Sequence, residues 1–441
     1  MTVSIFLQFV VVLAAIWMGS RFSGVGLGLW GAVGLVVLMI GFGVTPTSPP
    51  VDVMLIILAV IMAASVMDAA GGIDFLVRIA ERIIRANPKY VTIVAPLTTW
   101  SFTFVAGTGH IVYPLLPVIY ETAHQSGIRP ERPMAVATIA SQQAITASPV
   151  AAATAAMIGL FSEKGLTQWG LPEILMVCVP ATLTGVIAAA IVSMFIGKDL
   201  KDDPEYQARL AAGKIPAPQS AELRPPLKPA AKRAALVFLA GVGLVVLFGF
   251  FPSLRTMPGA KGALAMPIVI EVIMLAVAAI LLAVTKVDVD EIPKTATLRA
   301  GVVAVIGIFG LAWLGDSFIA AHKDVIVPAI GKWAEAAPWT FAFGLFFASV
   351  LLYSQAATAR ALMPLGVALG IPPQFLIGMF PSVNGYFFIP TYGSLIAAIN
   401  FDLSGTTRIG KYVLNHSFMI PGVIATSVAV GTGLALAKVM F

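Results

Sequence analysis

Four clusters of mostly small, uncharged polar residues interrupt apolar stretches of the chain. In the first half they are Gly107, Thr108, Gly109 and His110, and then Ser141, Gln142, Gln143, Thr146 and Ser148. In the second half they are Ser354, Gln355, Thr358 and Arg360, and then Ser382, Asn384, Tyr386, Thr391 and Tyr392. Glycines let backbone amides approach a ligand, and a helix N-terminus offers it partial positive charge. Polar groups at both ends of one site suit a small anion such as a dicarboxylate.

The same residue types also have structural roles in membrane helices. Ser, Thr and Gly often lie where two helices approach closely, whereas Gln, Asn and Arg at mid-membrane depth cost more and indicate function more strongly. His110 is a donor to a carboxylate, a proton carrier, or a side chain satisfied by a backbone carbonyl. Arg360 either clamps a carboxylate or extends to the lipid headgroups. Each cluster is therefore a candidate substrate site with an alternative in packing.

The clusters recur in the same order in the two halves of the chain. Pro88 and Pro338 lie 250 residues apart, and so do Pro114 and Pro364. The polar breaks run from Ser to Pro over 141–149 and over 382–390. Matched interruptions in paired hydrophobic segments are typical of the midplane binding site of a secondary transporter, because unwound backbone there needs partners that lipid does not supply.

Apolar windows of about 20 residues, the length that crosses a bilayer, predict ten membrane spans. They lie near 3–20, 24–43, 52–70, 133–160 and 172–197, and near 232–252, 262–285, 298–316, 373–400 and 411–437. After the third span of each half come an amphipathic stretch (73–87 and 317–336) and two apolar arms (90–106 with 111–124, and 338–353 with 361–371). The arms are short for two spans, so each pair is predicted to form a hairpin that enters and leaves on one side.

The predicted fold is an all-α integral membrane protein built from two inverted repeats, residues 1–197 and 232–441, joined by a linker over 198–231. Five full spans are an odd number, so the second copy is inverted relative to the first. The re-entrant hairpins cover 88–124 and 338–371, and the broken spans cover 133–160 and 373–400. The hydrophilic, Pro-containing linker is either a plain connector or a regulatory docking site.

Composition supports a membrane protein and excludes other classes. The chain is 59% hydrophobic and 11% charged, with a mean hydropathy of +0.95, which leaves too little polar surface for a soluble fold of 441 residues. The net charge is +6, but most of the basic residues fall in loops between spans, so we do not expect nucleic-acid binding. Cys178 is the single cysteine, so neither an internal disulfide nor a thiolate metal cluster is expected. The first span reads as a retained helix rather than a signal peptide.

The distribution of basic residues predicts the orientation. With the N-terminus outside, the inner loops hold 20 of the 27 Lys and Arg residues, the outer loops hold six, and Arg360 lies within the membrane. Cytoplasmic loops are enriched in Lys and Arg, so both termini are predicted to be periplasmic and the linker cytoplasmic.

Missing motifs narrow the function further. The chain has no G-x-x-x-x-G-K-[ST] loop for ATP and no H-E-x-x-H, so transport would be driven by gradients or exchange, without a cofactor or metal. The alternatives are a membrane-embedded enzyme or a channel acting on small organic anions. Against the enzyme alternative, the sequence has no nucleophile and base at recognisable spacing. Stimulation of uptake by counter-substrate would distinguish a carrier from a channel.

Several motifs together resemble the Dcu family of anaerobic C4-dicarboxylate transporters over nearly the whole chain. They are AGTGH at 106–110, RPERP at 129–133, QAITASP at 143–149, SQAATA at 354–359, SGTTRIG at 404–410 and Asn415 with His416. The resemblance implies exchange, uptake or efflux of fumarate, succinate, malate and aspartate across a bacterial inner membrane during anaerobic respiration. It also implies an elevator-like mechanism and a homodimer in membrane lipid. Coupling to H+ or Na+ and a sensor-kinase partner stay open, and Arg360 and Glu271 depart from the family pattern.

Overall fold

The computed structural model describes residues 3–22, 25–215, 226–259, 262–352, 354–412 and 414–441. Within these ranges the chain is helical, and its β structure is limited to two isolated antiparallel bridges, Thr256 with Ala263 and Ile409 with His416. Of the predicted linker, residues 216–225 lie outside the described residues. The molecule is therefore an all-helical protein, as the apolar windows predict.

The described residues of the first half and the linker form ten α-helices. They are α1 (Val3–Phe22), α2 (Gly26–Phe42), α3 (Val51–Ala69), α4 (Gly72–Ala86), α5 (Val91–Ala106), α6 (Val112–Gln125), α7 (Glu131–Gln143), α8 (Ala152–Glu163), α9 (Leu171–Ser193) and α10 (Pro204–Ala211). A 3-10 turn, Ala144–Ala147, follows α7, and extended backbone at Ser148 and Ala151 separates it from α8. The span predicted over 133–160 is thus broken at its polar cluster.

In the second half, the part of the chain that the structure describes forms nine α-helices. They are α11 (Ala231–Phe250), α12 (Met266–Thr285), α13 (Ala296–Gly307), α14 (Trp313–Ala336), α15 (Phe341–Leu352), α16 (Gln355–Ala368), α17 (Pro373–Met379), α18 (Gly393–Phe401) and α19 (Met419–Met440). Two 3-10 turns, Phe380–Val383 and Gly385–Phe387, lie between α17 and α18. The span predicted over 373–400 is therefore broken as well.

Seven helical stretches in the described ranges are long and apolar enough to cross a membrane. They are Val51–Ala69, Glu131–Glu163, Leu171–Ser193, Ala231–Phe250, Met266–Thr285, Ala296–Val325 and Met419–Met440. Each corresponds to one of the ten predicted spans. Val3–Gly19 and Gly26–Phe42 are apolar but shorter, and the stretch 373–400 is divided between α17 and α18. The protein is a multi-span membrane protein.

Three predicted boundaries are wrong. The second arm of the second hairpin begins at Gln355 rather than 361, because Ser354 caps α16 and accepts a hydrogen bond from Ala357 N (3.2 Å). The predicted amphipathic stretch 317–336 is not separate, because α14 runs through it without a break. The last span begins at Met419 rather than 411, because Asp402 accepts hydrogen bonds from Ser404, Thr406 and Thr407 and holds a compact loop before it.

A π-helical turn, Ile308–Ala312, joins α13 to α14 where α2 crosses them. A Cβ at Gly310 would lie only 1.7 Å from the carbonyl oxygen of Gly28, so the two backbones touch at this crossing. Small residues allow such close helix approach in membranes. Together with α1, these helices enclose a separate apolar core that includes Leu38, Leu311 and Leu314.

The linker helix α10 is fastened to the ends of membrane helices. The side chain of Asp203 caps it by accepting hydrogen bonds from Glu205 N (2.9 Å) and Tyr206 N (3.3 Å), and it also pairs with the Arg129 guanidinium. The Tyr206 hydroxyl lies 2.9 Å from His124 Nε2 at the end of α6. The described part of the linker is therefore docked rather than solvated throughout.

Candidate functional site

The tip of the first hairpin is a glycine turn. Gly107 ends α5 with φ +71°, and a Cβ there would lie 2.7 Å from Val150 O, so both backbone shape and space require glycine. Thr108 then accepts a hydrogen bond from His110 N (3.3 Å) and caps the 3-10 turn that opens α6. His110 Nδ1 lies 3.2 Å from the hydroxyl of Thr108. The tip therefore presents the N-terminus of a helix.

The second hairpin tip, like the first, has a hydroxyl side chain that caps the start of a helix. Ser354 caps α16, and Thr358 Oγ1 donates to Ser354 O (2.7 Å) on the first turn. Gln355 is the first residue of α16 and is largely buried. A helix N-terminus carries a partial positive charge and free N–H groups. Both tips thus expose groups that favour an anion.

The two tips meet at one cavity of about 140 Å³. Eight of its lining residues are predicted site residues, namely Gly107, Thr108, Gly109, His110, Gln142, Ser354, Gln355 and Tyr392. The remaining lining residues are Tyr113, Ile145, Ala152, Ala153, Ala304 and Ala356. None of these described lining residues is Asp or Glu. The cavity is below the roughly 300–1,000 Å³ of drug-sized sites, and its uncharged donors suit a small anion.

A chain of buried amides connects the cavity to both broken spans. Gln355 Nε2 donates to Gln142 Oε1 (3.0 Å) and to Asn384 Oδ1 (3.2 Å). Asn384 Nδ2 donates to Gln143 Oε1 (3.3 Å) and to Pro381 O (3.0 Å). Gln143 Nε2 in turn donates to Thr426 Oγ1 on α19 (2.8 Å). Because buried amides are costly without partners, this network fixes the second tip relative to both breaks.

The first tip packs directly on the same network. A Cβ at Gly109 would lie 2.4 Å from Gln142 Nε2, so the backbone of this tip touches the amide. All four polar clusters therefore meet: both tips, the break after α7 through the two glutamines, and the break after α17 through Asn384.

Other predicted site residues are not in the cavity lining. The hydroxyls of four buried residues donate to backbone carbonyls three or four residues earlier in their own segments: Ser141, Thr146, Thr358 and Ser382. Ser148 accepts a hydrogen bond from Val150 N (3.4 Å) in the first break. Thr391 is exposed. Tyr386 is buried beside Tyr392, with ring centroids 5.0 Å apart.

Arg360 also lies outside the cavity lining. Its Nη2 is 2.5 Å from Glu163 Oε2 and 3.3 Å from Asp316 Oδ2, and only 2% of its side chain is exposed. Nε and Nη1 have no hydrogen-bond partner among the described residues. The structure thus places Arg360 in an ion-pair triad that joins α16 to α8 and α14.

Of the six lining residues that the sequence analysis did not predict, Tyr113 and Ala304 have different explanations. Tyr113 lies one helical turn after the first tip, with its ring centroid 5.9 Å from that of His110, so helical periodicity could have identified it. Ala304 comes from α13, far from any polar cluster, and alanine carries no chemical signal. Within the described ranges no group of three or more His, Cys, Asp or Glu side chains could hold a metal.

The chain was compared with known families and structures. The family described as anaerobic C4-dicarboxylate membrane transporter matches residues 4–441. C4-dicarboxylate transporter DcuA of Wolinella succinogenes is 41% identical over 438 residues, covering 98% of this chain and 99% of that protein. DcuA of Escherichia coli is 42% identical over 434 residues (98% and 99%), and anaerobic C4-dicarboxylate transporter DcuB of Escherichia coli is 38% identical over 434 residues (96% of each).

A solved structure shares the fold at low sequence identity. MtrF of Neisseria gonorrhoeae, described as illuminating a class of antimetabolite efflux pumps, aligns with a TM-score of 0.55 at 13% identity, covering 100% of this chain and 95% of that one. At this identity the similarity concerns the fold alone.

Proposed function

Because this chain belongs to the DcuA/DcuB family of anaerobic C4-dicarboxylate membrane transporters, we propose that the cavity between its hairpin tips holds the dicarboxylate during transport. The protein is a multi-pass C4-dicarboxylate transporter and not an enzyme.

The buried amide network carries the proposal. It connects the second tip to both broken spans, and it borders a cavity whose described lining has no carboxylate. A C4-dicarboxylate has one anionic group at each end. Two helix N-termini that meet at one cavity supply partial positive charge to both ends, and neutral amides orient the molecule without the cost of a buried fixed charge. His110 and Tyr392 supply further polar groups.

We propose that the two halves are inverted repeats that work by an elevator-like mechanism. The matched tips and matched breaks support this arrangement, and inverted repeats place substrate sites at the repeat interface. The mobile unit would comprise α5 to α8 and α15 to α18. The remaining spans would form the stationary part, in a homodimer in the bacterial inner membrane.

The proposed substrates are fumarate, succinate, malate and aspartate, moved by exchange or by uptake coupled to H+ or Na+. Fumarate entering while succinate leaves would require the reoriented site to accept either acid. Counterflow across a panel of C4 acids in proteoliposomes, repeated at several pH values and with and without Na+, would rank them. Stimulation by internal substrate is expected of a carrier, whereas a channel would show none.

The site itself is tested by Asn384→Ala, with Asn400→Ala as a matched control on the exposed face of α18. Removing the Asn384 amide takes a partner from both Gln355 and Gln143. A lost partner of a buried polar group costs roughly 1–3 kcal/mol, so exchange of radiolabelled succinate should fall about tenfold or more. Asn400→Ala should exchange at the wild-type rate. Wild-type exchange by correctly inserted Asn384→Ala would contradict the site.

A further inference from the structure

An apolar groove of about 780 Å³ lies between α1, α14 and the second hairpin. Phe6, Phe9, Leu13 and Trp17 of α1 form one wall, and Ala348 of α15 lies on the hairpin side. The groove is separate from the cavity between the tips, with which it shares no lining residue.

The groove lies at membrane depth. Its walls come from the candidate span Ala296–Val325 and from the apolar helices Val3–Gly19 and Pro338–Leu352. At this depth an occupant has to be apolar or to satisfy its polar groups internally. The choice is therefore between lipid hydrocarbon and another transmembrane helix.

The side chains that line the groove favour lipid. Helices associate in membranes mainly through small residues that let backbones approach. Here the side chains on the rim of the groove are large and exposed: Phe6 is 56% exposed, Trp17 54% and Leu351 54%. A flexible acyl chain fits between such side chains, whereas a helix about 10 Å or more across would be held away by them.

A basic group stands at one end of the groove. The Arg21 guanidinium carbon lies 3.9 Å above the centre of the Trp17 ring, and Arg21 is exposed without a carboxylate in salt-bridge range among the described residues. Trp and Arg together are typical of the membrane interface, where Arg attracts lipid phosphate. The wall from Ile5 to Trp17 spans about 18 Å at roughly 1.5 Å per residue, close to the roughly 15 Å of one hydrocarbon leaflet.

We propose that this groove binds an acyl chain of an inner-leaflet phospholipid whose phosphate pairs with Arg21. The lipid then lies between α1 and the second hairpin and covers the apolar face that the hairpin turns toward α1. This binding is independent of the proposed substrate site, so either can fail without the other.

Native mass spectrometry of the purified full-length protein with added phosphatidylglycerol tests the proposal. Ala348→Phe puts a ring into the groove, and Ala14→Phe is the matched control at an exposed position of α1 outside the groove. Each methylene removed from an apolar contact weakens binding several-fold. A ring that displaces two or more methylenes of the acyl chain should therefore lower phospholipid retention about tenfold. Ala14→Phe should retain phospholipid as the wild type does. Leu13→Trp repeats the test from the other wall if Ala348→Phe does not fold.

The headgroup contact is tested by Arg21→Gln, with Arg82→Gln on α4 as the control at another exposed arginine. Only Arg21→Gln should lower retention of phosphatidylglycerol. Retention unchanged in folded Ala348→Phe, or in Leu13→Trp, would overturn the proposal. So would conversion of dimers to monomers by the groove variants with lipid retention unchanged, because the groove would then be a contact between two copies of the chain.

Discussion

Arg360 is a single charged residue whose environment assigns it a different role from the one its residue type suggests. The sequence predicts that Arg360 either clamps a carboxylate or extends to the lipid headgroups, yet it contacts Glu163 and Asp316 and lies outside the cavity lining. Removing one partner of a buried ion pair leaves uncompensated charge. Its contribution should therefore appear first in stability.

Arg360→Met should destabilise the protein by about 3 kcal/mol, since loss of one partner from a buried pair costs roughly 3–5 kcal/mol and part of this triad is exposed. Adding Asp316→Asn should recover part of the loss, because one unpaired charge disappears. Thermal unfolding of the purified protein measures both effects. The control is Arg408→Met, whose ion pair with Glu205 is 49% and 60% exposed and should change stability by less than about 1 kcal/mol.

A wild-type unfolding midpoint for Arg360→Met, combined with a raised KM for succinate, would contradict this structural role. That result would restore Arg360 as a substrate clamp.

Buried amides and buried hydroxyls differ in how well a sequence indicates their role. The amides Gln142, Gln143 and Asn384, predicted to bind substrate, connect the two halves, and of the three only Gln142 lines the cavity. Their residue type indicated a buried polar contact, because an amide inside the membrane needs a partner. The hydroxyls of residues such as Ser141 and Thr146 donate hydrogen bonds to backbone carbonyls of the preceding helical turn. No residue pattern distinguishes a hydroxyl of that kind from a ligand.

The linker helix α10 is an element whose role depends on its contacts rather than its composition. Pro and acidic residues there predict a solvated connector, but Asp203, Tyr206 and Glu205 contact Arg129, His124 and Arg408 respectively. Burial raises the pKa of Asp203, but hydrogen bonds from Arg129 and from the N–H groups of Tyr206 and Glu205 outweigh it, so the pKa is lowered overall. Ionised Asp203 therefore stabilises the docked helix.

The contribution of Asp203 to the docking of α10 should be lost only in acid. A carboxylate whose folded pKa is lowered stabilises fully above its unfolded value, here 3.8, and loses that contribution as pH falls through the folded pKa. The extra protection that Asp203 gives the α10 amides in hydrogen exchange, measured as wild type minus Asp203→Asn, should be constant from about pH 8 to 5 and lost below about pH 4. Asp203→Asn should exchange faster than the wild type near neutral pH, and the two proteins should converge in acid, where the wild-type Asp203 is protonated.

The matched control for this experiment is Asp202→Asn, at an exposed neighbouring position. It should follow the wild-type profile. Equal protection in Asp203→Asn and wild type at neutral pH would show that α10 is held by other contacts.

Element boundaries were predictable where apolar runs end and not where capping or packing decides. The start of α16 depends on a cap by Ser354, and the continuity of α14 follows a π turn fitted to the glycine crossing with α2. The cap is a local side-chain contact and the crossing joins distant segments, and neither appears in a hydropathy profile, so hydropathy alone misplaces these ends by several residues.

At the scale of the whole molecule, the apolar windows predicted the helical membrane fold because a spanning segment has to satisfy its own backbone. The sequence placed the polar clusters in matched positions, but which of them line one cavity follows only from the packing of both halves. Packing places Ala304 in the cavity lining, and it places Thr426 outside the lining, where it accepts a hydrogen bond from Gln143. The fold was therefore more predictable than the site.

Orientation is the property of the whole molecule that the charge distribution predicts, and it can be tested directly. Cys178 is the only cysteine and is fully buried, so the wild-type chain should react little with a membrane-impermeant maleimide. Ser253→Cys, after α11, and Lys201→Cys, in the linker, are both at exposed positions on opposite predicted sides. Right-side-out vesicles should label Ser253→Cys alone, and inverted vesicles Lys201→Cys alone. The reverse pattern would show that the topology is inverted. Labelling of both variants from one side would mean an even number of spans between the two positions, which contradicts the inverted repeat.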